Sequence, residues 1–185
     1  MEFRKSQLGD IDQIVRIADD AKAFLKANGV SQWQRGTYPD RALFVSDVET
    51  GIGYVLADDE RIAAVCAVTI GEEPSYRQLT KGAWLTGDDA VYATIHRSAV
   101  APELRGAGIA GHLFDAVCEL AAKQGIGSVR VDTHPDNMAM RSALQKAGFS
   151  PCGELILERC DEAGDPRIGY ERIIELNGDS CCCSC

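Results

Sequence analysis

Gly106, Gly108 and Gly111 lie in the segment HRSAVAPELRGAGIAGHLF (His96 to Phe114), where strand character gives way to a helical period. Glycines at a helix start let the backbone approach a ligand, and the first N–H groups of a helix have no partner inside it. With the helix dipole they form an anion cradle, and Arg105, Gly106, Ala107, Gly108, Ile109 and Ala110 would suit a pyrophosphate. A turn that merely packs tightly is the other reading. The glycines also spell G-x-G-x-x-G, with Asp132 about 20 residues on, which at face value is a nicotinamide-nucleotide fingerprint with Asp132 on a ribose. Against it, Ala101 to Arg105 separate the strand from the first glycine. The roughly 50 residues after Asp132 also hold too few βα units for a doubly wound sheet.

Proton transfer near neutral pH needs a titratable group within reach of that cradle. Alternate residues of the strand from Val91 share a face, which groups Tyr92, Thr94, His96, Ser98 and Val100. His96 is the attractive base, with a histidine hydrogen-bonded inside the sheet as the alternative. His134 follows Asp132 at the carboxyl end of a strand, where open α/β sheets place ligands. Its alternative is a loop histidine held by Asp136. His112 reads as surface or packing, and Glu72 and Glu73 as solvated loop acids within reach of an acceptor. Trp33, Tyr38, Tyr76 and Trp84 fall in segments of weak periodicity and suit an acceptor pocket, though each is also a common core residue.

The elements that must position these groups follow from patterning. Glu2 to Lys5 reads as a strand. Asp10 opens a helix with Gln13 completing a capping box; Ile11, Ile14, Ala18, Ala21 and Leu25 form its apolar face, and Asn28-Gly29 ends it. Val30 to Asp40 is loop-like, and Arg41 to Glu49 a shorter helix. Gly53 to Asp58 and Arg61 to Ile70 form a hairpin turning at Asp58-Asp59-Glu60. Gly71 to Asp89 shows little periodicity, and its aromatics argue against disorder. A strand over Val91 to Val100, a helix over Gly106 to Gln124, a strand over Ser128 to Thr133 and a helix over Asp136 to Ala147 follow. Ser150 to Glu158 and Gly169 to Glu175 are the last strands. The order β-α-α-β-β-β-α-β-α-β-β describes one mixed α/β domain over residues 1–176, with a cysteine-rich tail at 177–185.

Composition narrows the function classes. The 185 residues are 45% hydrophobic and 25% charged, the make-up of a globular chain. Nineteen Lys and Arg against 28 Asp and Glu leave a net charge of −9. That speaks against nucleic-acid partners and against docking on an anionic membrane, so an anionic ligand must be held locally. With no signal-like or spanning segment, the expected location is the cytoplasm. Cys66, Cys118, Cys152 and Cys160 stand singly in apolar surroundings and read as small buried hydrophobes. The run Cys181, Cys182, Cys183 and Cys185 lacks metal-site spacing, so no metal is expected and the end is oxidation-prone.

The segment A-V-A-P-E-L-R-G-A-G-I-A resembles the acetyl-CoA-binding motif of the GNAT superfamily of N-acetyltransferases. The later V-D-T-H-P-D-N-M-A-M-R-S-A-L-Q-K-A-G-F is similar to that family's next strand and helix, ending in its common K-x-G-F. The resemblance extends from Phe3 to Leu176 and is strongest from His96 to Phe149. It implies a mixed, mostly antiparallel sheet flanked by helices and splayed to admit a pantetheine arm. It implies acetyl transfer from acetyl-CoA to a primary amine by direct attack in a ternary complex.

The resemblance further places the pyrophosphate on the N–H groups of Arg105 to Ala110 and the arm along Ser98, Ala99 and Val100. An N–H near Val100 would hold the acyl oxygen, and Asn137 would contact the arm or simply cap its helix. Two departures stand out. Glu103 occupies the place of a frequent Gln or Arg, although a frame starting at Arg105 fits the pattern. Leu144 stands where many members carry a tyrosine that protonates the leaving thiolate. A thiol of pKa about 8.5 can leave without that acid. A non-catalytic acyl-CoA sensor and a nicotinamide-nucleotide oxidoreductase are the alternatives. The acceptor is a small-molecule or protein amine, and a homodimer is among the open assembly states.

Overall fold

Ile11, Ile14, Ile17, Ala18 and Leu25 recur three and four apart, so α1 (Ile11–Ala27) buries one stripe and leaves its charges in water. The computed structural model describes residues 1–58, 61–77, 79–158 and 161–176. The Asp59-Glu60 turn, Cys160 and the cysteine tail lie outside the described residues. The capping box falls one turn earlier than the sequence suggests. Asp10 accepts from Gln7 N at 2.8 Å and pairs with Arg4 at 2.7 Å, and Gln13 Oε1 instead takes Ile62 N at 3.1 Å. The α2 helix (Arg41–Glu49) is capped by Asp40, which accepts from Leu43 N at 2.9 Å.

The strands are β1 (Glu2–Lys5), β2 (Gly53–Ala57), β3 (Ile62–Ile70), β4 (Lys81–Gly82), β5 (Ala93–Val100), β6 (Ser128–Thr133), β7 (Ser150–Ile156) and β8 (Pro166–Ile173). Among the described residues two more α-helices follow, α3 (Ile109–Lys123) and α4 (Met138–Lys146). The sheet order is β1-β2-β3-β5-β6-β8-β7-β4, antiparallel throughout except for β5 beside β6. This is the expected mixed, mostly antiparallel fold, with one addition. The two-residue β4 has no sequence signature and exists only because β7 offers it an edge.

Strand alternation sends Val55 to one face and Leu56 to the other. Val55, Ile62 and Val65 pack with α1 and α2 around Phe44, while Leu56, Cys66, Ile95 and Val131 pack with α3 and α4 around Phe114 and Leu144. The stretch after Gly71 is ordered by a third cluster, Tyr76, Trp84, Tyr92 and Leu155. Cys66 and Cys118 are buried as expected, burial pushing their thiols up to about 12 and about 11, whereas Cys152 is half-buried. No described helix is long and apolar enough to cross a membrane.

Candidate active site

The parallel neighbours β5 and β6 are paired only where Ala93, Thr94 and Ile95 meet Val129, Arg130 and Val131. Beyond that point β5 continues beside β3 alone, and Asp132 and Thr133 of β6 pair only with β8. The two strands therefore part, and the wedge opens into a cleft of about 1060 Å³ bordered by both faces of the gap. Its rim carries the glycine-rich turn. Its inner end carries ionisable side chains.

At the rim, a short 3-10 turn (Pro102–Leu104) leads to Gly106 and Gly108, with φ of 81° and 82°. Side chains rarely adopt that left-handed backbone. A Cβ on either glycine would point into open space, which is the space a ligand would fill. Among the described residues no protein acceptor takes the N–H of Gly106, Gly108, Ile109, Ala110 or Gly111. Two expected amides drop out. Ala107 does not border the cleft and donates to Leu104 O at 3.3 Å, and the N–H of Arg105 turns back to Pro102 O at 3.4 Å. The Arg105 guanidinium instead lies over the Phe24 ring at 4.8 Å and keeps a buried Nη2 without a partner among the described residues. Free amides, a helix start and an unpaired guanidinium nitrogen suit a phosphate-bearing ligand such as acetyl-CoA.

Ser98, Ala99 and Val100 border the cleft along β5, and Asn137 borders it from the start of α4. The Asn137 carboxamide is engaged within the protein: Oδ1 accepts from Met140 N at 3.2 Å and Nδ2 donates to Gln32 Oε1 at 3.1 Å. Its observed role is that of a cap.

The two histidines fare differently from the expectation. His96 borders the cleft, facing Thr69 Oγ1 at 3.2 Å and Glu73 at 3.7 Å. Burial, helped by the neighbouring Arg97 cation, pulls its pKa down to about 3. At that value it is a neutral and very weak base. His134 does not border the cleft at all. Its Nδ1 accepts from Asp136 N at 3.2 Å, which places the ring proton on Nε2, opposite Ser31 Oγ at 3.1 Å. Both nitrogens are thereby occupied.

Trp33 and Tyr38 border the cleft, Trp33 with a left-handed φ of 63° and its N–H on Glu162. Tyr76 borders it too, although its ring is buried. Tyr92 and Trp84 do not. The Tyr92 hydroxyl accepts from Glu73 N at 3.0 Å, and Trp84 Nε1 donates to Tyr76 O at 2.9 Å. Their rings sandwich the fully buried Arg130 guanidinium at 3.9 and 4.3 Å, so both are core residues.

Three groups that patterning missed line the inner end: Asp132 as a carboxylate of the cleft rather than a ribose anchor, Glu162, and Arg167. Asp132 accepts from Tyr76 Oη at 2.7 Å and faces Arg167 Nε at 3.4 Å; Arg167 also pairs with Glu162 at 2.8 Å. Burial raises the Asp132 pKa against the pull of Tyr76 and Arg167, with Glu73 and Glu162 adding to the rise. The place of Asp132 at a strand's carboxyl end was the available signal. Glu162 and Arg167 had none, because the β7–β8 connection brings in Glu162 and the pairing of β8 with β6 brings in Arg167.

With one parallel pair and a 3-10 turn before the first glycine, the chain does not form the doubly wound sheet of a nicotinamide-nucleotide enzyme.

Comparison with known proteins agrees with this geometry. The sequence model of the acetyltransferase (GNAT) family matches residues 14–149. The structure of an acetyltransferase of the GNAT family from Streptococcus agalactiae is 31% identical, with a TM-score of 0.83 over 94% of this chain and 95% of that one. A spermidine N-acetyltransferase from Vibrio cholerae, solved with CoA and spermine, is 13% identical with a TM-score of 0.63 over 95% and 96%. The ribosomal-protein-S18-alanine N-acetyltransferase from Escherichia coli is 14% identical with a TM-score of 0.61 over 97% of both chains. No match is found among curated proteins.

Proposed function

The chain belongs to the GNAT family of acetyltransferases, and on that premise we propose that it transfers the acetyl group of acetyl-CoA to a cationic primary amine by direct attack in a ternary complex. The carrying observation is one cleft with unfilled backbone N–H donors at its rim and carboxylates at its inner end. Acetyl-CoA supplies an activated thioester. The amides of Gly106 and Gly108 to Gly111, with Arg105, would hold its pyrophosphate. The backbone of Ser98 to Val100 would flank the arm, an N–H near Val100 receiving the acyl oxygen.

An alkyl ammonium of pKa about 10.4 must lose a proton before its nitrogen can attack. Asp132 is the acceptor the geometry favours, since its carboxylate opens to the cleft and its raised pKa brings it closer to that task. Asp132 takes one proton from the ammonium before attack; the nitrogen–carbon bond then forms as the carbon–sulfur bond breaks, and the second nitrogen proton passes to solvent. The cleft holds no tyrosine at the position of Leu144, which is fully buried, so the thiolate leaves and collects its proton from solvent. Asp132 and Glu162 pair with Arg167, while Glu73 lies beside Asp132 and the neutral His96, and this local carboxylate excess favours a positively charged acceptor. The acceptors of the two distant neighbours, spermidine and a ribosomal-protein alanine, do not carry over at such identities. The buried Leu144 favours a second reading, an acyl-CoA sensor that binds without turnover.

Thermal shift with acetyl-CoA, CoA, NAD(H) and NADP(H), followed by thiol release with a panel of diamines, aminoglycosides and peptides, tests both readings. A ligand at 100 times its dissociation constant adds about 2.7 kcal/mol. Stabilisation by acetyl-CoA with amine-dependent thiol release is expected. Stabilisation without release across the panel would favour the sensor, and stabilisation by a nicotinamide nucleotide alone would overturn both.

A further inference from the structure

Arg97 is one of two described non-glycine residues with a left-handed backbone, at φ 53°. The register explains why. Ala67 of β3 faces His96, but Val65 faces Ala99, so Arg97 and Ser98 together oppose the single residue Cys66. Two residues against one is a β-bulge, and it lies just past Ile95, the last residue of β5 still paired with β6. The bulge thus sits where the sheet parts, immediately before Ser98 to Val100.

A bulky residue stays in that backbone region only when its surroundings hold it there. Here the hold comes from α2. Arg97 Nε donates to Asp47 Oδ2 at 3.0 Å and Nη2 to Oδ1 at 2.7 Å, a two-pronged pair between the half-buried Arg97 and the buried Asp47. Tyr38 is hydrogen-bonded to the same guanidinium. Asp47 is itself fixed on α2, where its carbonyl accepts from Ile52 N at 3.0 Å, and a side chain on Gly53 would collide with it and with Ser6. One half-buried cation therefore ties α2 and the Tyr38 segment to the bulged strand.

We infer that Arg97 is a positioning residue: held by Asp47 and Tyr38, it keeps the β5 bulge open and couples the acceptor-side segment to the strand end that receives the acyl arm. This deepens the proposed function and rests on its placement of acetyl-CoA. Lysine cannot replace it, because a single ammonium cannot form the planar fork. The cradle at Gly106 to Gly111 belongs to the start of α3 and is not part of the clamp.

The test is calorimetric titration of wild type, Arg97→Lys, Asp47→Asn and Tyr38→Phe with CoA and with acetyl-CoA. Both ligands carry the pyrophosphate, and only one carries the acyl carbonyl. For Arg97→Lys and Asp47→Asn, acetyl-CoA affinity is expected to fall at least tenfold and CoA affinity less than threefold. The double variant should be no worse than the poorer single one, as for residues acting as a unit. Tyr38→Phe removes one hydrogen bond and keeps the ring, so it guards against loss of folding in the other two. It should lower the acetyl-CoA to CoA preference threefold or more. An unchanged preference in Tyr38→Phe and in every variant that folds overturns the clamp while leaving the acetyltransferase reading intact. Wild type that binds neither ligand overturns that reading and the clamp with it.

Discussion

The Tyr76 hydroxyl donates to Asp132 Oδ1 at 2.7 Å, joining residues 56 apart in the chain at the point where β5 and β6 separate. Burial, and then the Asp132 charge, lift the Tyr76 pKa well above its ordinary value, so the phenol keeps its proton and acts as a donor. Asp132 is left with Oδ2 toward Arg167 and a side chain 16% exposed to the cleft. It is a carboxylate held in place by two donors and still open to a ligand.

Replacing Asp132 with Asn keeps the shape and the Tyr76 bond but removes the proton acceptor. Turnover should fall by about 100-fold or more. In wild type the acid limb of kcat/KM should lie above the ordinary carboxylate pKa of about 3.9, because burial raises this one. The limb should vanish in the variant. Retention of both rate and limb in a pH–rate series would assign the proton transfer elsewhere.

The same variant carries a stability prediction of definite sign. A carboxyl whose pKa is raised by folding favours the folded state below its unfolded pKa, and that advantage is lost as pH rises through the folded value. Asp132→Asn should therefore melt no lower than wild type at pH 7, and any gain should shrink toward pH 4. A marked drop in melting temperature at pH 7 would show that the pairing with Arg167 outweighs the burial cost.

His96 remains neutral well below physiological pH, with its pKa depressed to about 3 by burial and then by Arg97. His96→Gln preserves a partner for Thr69 and should leave the shape of the pH–rate profile unchanged between pH 5 and 9. The sign for stability is opposite to that of Asp132. As pH falls below the ordinary histidine value of about 6.5, the unfolded chain takes up a proton that the folded chain refuses. Wild type should lose stability from pH 6.5 downward more steeply than His96→Gln, as read by denaturant titration at several pH values.

Gly108 has φ 82°, and a Cβ there would enter open space beside the free amides. Gly108→Ala should cost about 1–2 kcal/mol of stability through backbone strain. Gly108→Glu adds bulk and charge at the cradle and should weaken CoA binding by at least tenfold more than Gly108→Ala. Equal binding by wild type and Gly108→Glu in a calorimetric titration would remove the phosphate site from this turn.

Arg130 and Glu171 are both fully buried and 3.1 Å apart, and Glu171 also accepts from Ser128, Thr86 and the amide of Leu85. Through Thr86 and Leu85 this pair pins the loop before β5 to the sheet. Arg130→Met leaves a buried carboxylate unpaired and should cost about 3–5 kcal/mol. For a chain of this size that is about 6–20 °C in melting temperature. A calorimetric shift within 2 °C of wild type, with a tolerance of about one degree, would mean the pair is replaceable.

Much of the fold was legible in the sequence because its signals are local. The stripe of Ile11, Ile14, Ala18 and Leu25, the Asn28-Gly29 stop and the K-x-G-F ending each specify an element from neighbouring residues. The glycine-rich turn was legible for the same reason, since a left-handed backbone selects glycine at Gly106 and Gly108 whatever lies elsewhere. Boundaries moved by up to three residues, as where α3 starts at Ile109 rather than Gly106 and β8 at Pro166 rather than Gly169, and the capping box shifted when Asp10 turned to Arg4 and Gln7 and Gln13 to Ile62.

The sequence by itself determined the layered α/β order and the glycine-rich turn, because periodicity and glycine conformation act within a few residues. Tertiary structure alone decided which ionisable groups meet in the cleft. Burial disarms His96 and hydrogen bonding occupies His134, while the parting of β5 from β6 exposes Asp132. Trp84 and Tyr92 were drawn into the core by Arg130, while the β7–β8 connection brought Glu162, and the pairing of β8 with β6 brought Arg167, to the side of Asp132. A pKa and a proton path depend on desolvation and on charges distant in the chain, and neither is set until the sheet has closed around them.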